Sequence, residues 1–230
     1  MKEPATTPPA AATAGANSIV KALVESGVLF LVPDSPITFA SGLVSPVYMD
    51  VRQLLAKPDC WRQVVSALSQ AVKPFEPQLV AGVAVGGIPH STAVAIELGL
   101  PSCFIRLAQK SHGRGKNIEG AGVGGKRVVL VEDVITTGGS SLEAAQILRE
   151  HGAEVMGCIA IASYGFETAT EAFEKAGVDL AVLVPFKEML ATAEIAATEM
   201  SSEFPKSALE EARQWHADPQ GWENSLRPSD

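Results

Sequence analysis

Val128-Val129-Leu130-Val131-Glu132-Asp133-Val134-Ile135-Thr136-Thr137-Gly138-Gly139-Ser140-Ser141 organises the 230-residue chain. The apolar run Val128 to Val131, bounded by Lys126-Arg127 and Glu132-Asp133, is too short for a helix and reads as a buried parallel strand with the acids at its carboxyl end. A hydroxyl- and glycine-rich turn, Thr136 to Ser140, then leads into a helical pattern from Leu142 to Arg149 closed by Gly152. Such a turn offers backbone N–H groups, hydroxyls and the positive end of a helix dipole to an anion, most naturally a phosphate. It is not a Walker loop, because no Lys follows the glycines, and not a G-x-G-x-x-G turn, because the glycine pair is contiguous. Two carboxylates beside a phosphate would repel it unless they face something else, and vicinal sugar hydroxyls are the natural donors to them. The combination suggests a grip on a ribose 5-phosphate.

Composition bounds the rest. The length suits one domain with extensions, and 47% hydrophobic residues suffice for a sizeable core. A net charge of -8 argues against a nucleic-acid-binding face. Cys60, Cys103 and Cys158 are odd in number, far apart and set in apolar runs, so they read as reduced core residues rather than disulfide or zinc ligands. No apolar run reaches membrane-spanning length and no signal-peptide core opens the chain, so a cytoplasmic protein is expected.

Residues 1–17, rich in Ala, Thr and Pro, are expected to be disordered. From Asn17 and Ser18 a helix is expected, with Ile19, Val20, Leu23 and Val24 inward and Gly27 beyond its end. Ile37 to Arg52 reads as a hairpin or a pair of short strands broken at Ser41-Gly42 and Ser45-Pro46. A helix after Pro58 carries Trp61, Val64, Val65, Leu68 and Val72 on one stripe. A second strand-glycine-helix unit runs from Leu79 through Val85-Gly86-Gly87 to Leu98, with His90 read as a helix-start or packing residue. Taken alone, Gly86-Gly87 is either a tight turn or a second anion site. Two such turns in one parallel sheet would meet at its carboxyl edge, where open α/β sheets bind ligands. After a strand ending at Arg106, residues 111–125 hold six glycines, few apolar side chains and several basic groups, which reads as a mobile binding loop or a solvated one. Strands at Val155 to Ala162 and Leu180 to Val184 follow, with helices between and after them. A C-terminal helix over Ser207 to Trp215 and a polar tail close the chain.

The stretch Val131 to Ser140 resembles the phosphoribosyl pyrophosphate (PRPP) motif of type I phosphoribosyltransferases. Phe39-Ala40-Ser41-Gly42-Leu43-Val44-Ser45-Pro46-Val47-Tyr48 resembles the hood signature of orotate phosphoribosyltransferases, and Arg106-Leu107-Ala108-Gln109-Lys110-Ser111-His112-Gly113 resembles their catalytic loop. The resemblance spans roughly Ser18 to Trp215 and implies an α/β fold: a central, mainly parallel sheet flanked by helices, a hood at about 28–52, a flexible catalytic loop at about 107–125, a phosphoribosyltransferase domain over 18–200, and a C-terminal helix and tail over 201–230.

It implies roles as well. Glu132, Asp133, Val134, Ile135, Thr136, Thr137, Gly138, Gly139 and Ser140 would bind PRPP, the two acids on the ribose hydroxyls and Thr136 also near orotate. Val85, Gly86 and Gly87 would form the pyrophosphate loop. Lys110 and His112, with Arg106 near the hinge, would reach pyrophosphate from the neighbouring subunit of a homodimer. Lys110, His112, Asp133 and Glu132 would be catalytic, and Mg²⁺ would be carried mainly by PRPP and water rather than by a protein metal site. The implied reaction joins orotate and PRPP to give orotidine 5'-monophosphate and pyrophosphate. Other type I phosphoribosyltransferases, or a PRPP-sensing regulator, are the rival readings; net acidity and retention of Lys110 and His112 argue against the regulator.

Ala40, Gly86, Leu107 and Ser163-Tyr164 stand where the enterobacterial branch often has Lys, Lys, Lys and Asp-Arg, and Ser111-His112-Gly113, Gly87-Ile88-Pro89-His90 and Tyr164-Gly165 together resemble the Gram-positive branch. Arg52, Thr136 and backbone amides of the hood remain candidates for the orotate carboxylate, with a structural ion pair as the alternative for Arg52.

Overall fold

The computed structural model describes residues 12–107, 117–199 and 204–226. A first helix, α1 (Ala12–Glu25), leads to a small antiparallel region made of β1 (Leu29–Leu31), β2 (Ile37–Thr38), β3 (Val44–Ser45) and β4 (Val47–Met49). There β1 pairs with β4, and β2 with β3. A 3-10 turn, Val51–Ala56, and α2 (Pro58–Val72) carry the chain to the main sheet. That sheet is built from β5 (Leu79–Val83), β6 (Ser102–Ile105), β7 (Ile118–Gly120), β8 (Arg127–Ile135), β9 (Glu154–Ser163) and β10 (Leu180–Pro185). Between and after these strands lie α3 (Gly87–Leu98), α4 (Gly139–Glu150), α5 (Glu167–Ala176), α6 (Phe186–Glu199), α7 (Lys206–Ala217) and α8 (Pro219–Ser225).

The strand order is β10-β9-β8-β5-β6-β7, parallel except for β7 at the edge. Strands buried on both faces explain the unbroken apolar runs. Val129 and Val131 enter one core with α2, α3 and the hood, whereas Val128 and Leu130 enter the other with α4 and α5. The order reverses between β5 and β8, and both glycine turns, Ala84–Gly86 and Thr136–Gly138, leave the sheet at that switch point.

Four expectations need correction. The central strand does not stop at Val131 but runs through both acids to Ile135, because Val134 and Ile135 pair with Ala162 and Ser163 of β9. Helix α1 begins at Ala12, so residues 12–17 of the segment expected to lack structure are helical, consistent with its alanines. The glycine-rich 107–125 segment is not loop throughout: Ile118–Gly120 forms the antiparallel edge strand against Cys103–Ile105. The tail is not merely polar, since α8 buries Trp222.

Candidate active site

Glu132 and Asp133 occupy consecutive positions of β8 and therefore face opposite sides of the sheet. Glu132 is buried; its Oε2 accepts the Ser141 hydroxyl at 3.0 Å and its Oε1 the Asp133 backbone N–H at 3.2 Å. Burial, then the neighbouring Asp133 carboxylate, pushes its pKa well up. Asp133 is half-buried, and its Oδ1 accepts the Val134 N–H at 2.8 Å. The two acids thus differ in kind: one is fixed inside against α4, the other stands at the mouth of the turns.

The turns explain their glycines. Gly138 has φ 81°, which favours glycine, and a Cβ there would lie 2.6 Å from the Phe173 ring. Gly139 and Ser140 are exposed at the start of α4, their N–H groups free of intrahelical partners by position. Thr136 and Thr137 are half-buried beside them. In the other turn the Ala84–Val85 peptide is cis and Val85 is exposed. A Cβ on Gly87 would lie 2.7 Å from the Val131 carbonyl oxygen, and a Cβ on Gly86 would collide with the Asp133 carboxylate. The Gly86 turn therefore abuts β8 at Asp133, and no lysine fits at position 86 without displacing that carboxylate.

The hood meets the same acid. Arg52 donates from Nε to Asp50 at 2.6 Å and from Nη2 to the Tyr48 hydroxyl at 2.7 Å, and Gln53 donates to Asp50 at 3.2 Å. Burial raises the pKa of Tyr48, and Asp133 adds to that rise; the hydrogen bond to Asp50 raises that of Arg52, again with a contribution from Asp133. Burial pushes the Asp50 carboxyl up, but its bonds from Arg52 and Gln53 outweigh this and hold it below its ordinary value. Tyr48, Arg52 and Asp133 thus lie within electrostatic reach across one cleft, and the ion pair expected as the alternative for Arg52 is present.

Arg106 pairs with Glu119 at 3.0 Å across the β6–β7 edge, and Asn117 donates to its carbonyl at 3.0 Å. Lys110 and His112 lie outside the described residues.

Two partners of the site escaped sequence reasoning. Tyr164 is buried, its hydroxyl donating to the Val47 carbonyl at 3.3 Å and accepting the Met49 N–H at 3.2 Å, which ties β9 to the hood. His90, also fully buried, accepts the Trp61 indole N–H on Nδ1 at 3.0 Å, while Nε2 has no partner. Burial moves the His90 pKa from 6.5 to about 4, against the attraction of Asp133. Between those values the unfolded chain takes up a proton that the fold does not, so stability is complete above about pH 6.5 and falls as pH drops toward 4. Urea midpoints should show a loss of about 2 kcal/mol from this group between pH 7 and pH 5. That part should vanish in His90→Phe.

The profile of the phosphoribosyl transferase domain matches residues 50–182. The orotate phosphoribosyltransferase of Bacillus caldolyticus is 40% identical over 209 residues, covering 90% of this chain and 98% of that protein. The Bacillus subtilis (strain 168) enzyme of the same name is 43% identical over 169 residues, 70% of this chain and 78% of that one. The chain belongs to the orotate phosphoribosyltransferase family. Among solved structures, that of the Aeropyrum pernix orotate phosphoribosyltransferase matches with a TM-score of 0.66 at 28% identity, covering 76% of this chain and 99% of that one. Leishmania donovani UMP synthase matches in fold, with a TM-score of 0.74 at 24% identity; 88% of this chain corresponds to 42% of that larger one. Orotate phosphoribosyltransferases of Listeria monocytogenes and Lactococcus lactis are each 37% identical over 90% of this chain. Among its described residues no helix is long and apolar enough to cross a membrane.

Proposed function

We propose that this chain transfers the phosphoribosyl group of PRPP to orotate, releasing orotidine 5'-monophosphate and pyrophosphate, and that it does so in the cytoplasm as a homodimer. The observation that carries the reading is the meeting of three elements at the carboxyl edge of the sheet: the hood's Tyr48 and Arg52 and the Gly86-Gly87 turn, which reach Asp133, and the Thr136 to Ser140 turn, which follows it on β8. A donor needing two phosphate cradles and an acceptor needing an aromatic, cationic wall would both be accommodated there.

In this reading the Thr136 to Ser140 turn holds the 5-phosphate at the start of α4, and Val85, Gly86 and Gly87 present backbone to the pyrophosphate. Asp133 accepts from the ribose hydroxyls and stabilises the positive charge that develops at the anomeric carbon as pyrophosphate departs. Glu132, bonded to Ser141, fixes the strand beneath it. Thr136 and Arg52 face the orotate. Lys110, His112 and Arg106 stabilise the departing pyrophosphate from the partner subunit, and closure of their loop keeps water from intercepting the cation.

Among the described residues no group of three or more His, Cys, Asp or Glu side chains is arranged to hold a metal ion. The donor set does suit Mg²⁺ arriving with substrate: Asp133 offers a hard carboxylate beside the place for phosphate oxygens and water. The ion would neutralise pyrophosphate charge.

The test is loss of orotate ultraviolet absorbance with PRPP and Mg²⁺, with uracil and purine bases as parallel acceptors. Turnover of orotate alone is expected. Turnover of another base in its place would refute the acceptor assignment, and PRPP binding without any turnover would refute catalysis.

A further inference from the structure

His90 lies one turn along α3 from Gly86, so both sit on one face of that helix, and side chains there tilt toward its N-terminus. Gly86 touches the Asp133 carboxylate, and the charge acting on the His90 ring is that of Asp133. Helix geometry thus puts the His90 side chain on the face that carries Gly86, and a Cβ on Gly86 would meet the Asp133 carboxylate. Its tautomer is dictated from the other side: the Trp61 indole N–H is a donor only, so Nδ1 must accept and the neutral ring must carry its proton on Nε2. A buried N–H without a partner is a cost that folded proteins rarely retain. A fully buried ring offers that proton to a group of the protein rather than to a ligand in the open cleft, and Asp133, which faces Gly86 on the same side of α3, is within electrostatic reach of it.

We propose that His90 is a positioning residue for Asp133, donating its Nε2 proton to that carboxylate when the substrate ribose engages it, with Trp61 holding the imidazole in the required tautomer. The proposal rests on the PRPP-binding reading of the cleft. It also accounts for glycine at position 86, since any side chain there would push Asp133 away from the face of α3 that carries His90.

The full-length protein allows a test in two arms. In the first, ¹⁵N-histidine NMR of wild type should show the Nε2–H tautomer of His90 at pH 7 and a shift of that nitrogen on addition of PRPP with Mg²⁺; the PRPP-induced shift should be absent in Asp133→Asn. In the second, His90→Phe should lower kcat about 10- to 100-fold with the KM for orotate little changed. His90→Gln, which can place an amide N–H where Nε2–H stood, should recover most of the loss. In the Asp133→Asn background, His90→Phe should cost nothing further. An Nδ1–H tautomer, a PRPP-induced shift that persists in Asp133→Asn, a fully active His90→Phe enzyme, or an equal loss in both backgrounds would each overturn the proposal. The NMR arm needs no substitution at His90 and no turnover, so it still decides if His90→Phe does not fold or if orotate is not the acceptor.

Discussion

Asp133→Asn is expected to lower kcat/KM for PRPP by roughly two to three orders of magnitude, the scale of removing one preorganised electrostatic partner of a transition state. The variant keeps shape and the bond from the Val134 N–H, so folding should be intact. What it loses is charge. Asp133 is the acid that reaches the cleft, whereas Glu132 is held inside by Ser141 and cannot replace it without breaking that contact. The loss should therefore fall on kcat more than on KM, as expected when an interaction strengthens as the ribose becomes cationic. Steady-state kinetics at saturating orotate measure it. Lys110→Ala should be similarly impaired through the leaving group. If the subunits of a homodimer share sites, mixing the two inactive variants should restore one working site per hybrid dimer. No recovery after verified subunit exchange would place Lys110 and Asp133 in the same subunit's site.

Trp215→Ala is expected to destabilise the fold by about 3–5 kcal/mol, the range for deleting a buried aromatic. Trp215 is fully buried, in ring contact with Phe39, Tyr164, Phe166 and Phe186, and its indole N–H donates to the Val44 carbonyl at 2.7 Å. Removal leaves a cavity and strips the hood strand β3 of its donor. Urea unfolding should show the lowered midpoint. A residual folded fraction should bind PRPP better than it binds orotate, because the hood side of the cleft loosens first.

Much of the site was legible because its chemistry is local. Contiguous glycines after Val85 and Thr137, the paired acids and the strand-to-helix order need only neighbours in sequence to be read, and the structure places both turns at one switch point. Less was legible where partners are remote. Tyr164 stood out only as a departure from an Asp-Arg pair, yet it spans 117 positions to Val47. His90 reads as a helix-start or packing residue, which its burial bears out, but its partner Trp61 lies on another helix and could not be named from the sequence. That Glu132 turns inward could not be read from composition, because alternation along β8 separates it from Asp133 only once the faces of the sheet are known. Ile118–Gly120 escaped as a strand because its pairing comes wholly from β6, and a glycine-rich segment carries little intrinsic preference for extended structure.

The clasp of Trp215 on Val44 joins two segments 171 positions apart, and α8 rests against β3 as well. A chain emerging from the ribosome can assemble both glycine turns once β9 has appeared, since β5, β6 and β8 precede it. The hood is not braced until Trp215 and α8 follow. Until then a chain that binds PRPP as proposed would have a place for the activated sugar and no finished wall to keep water off it.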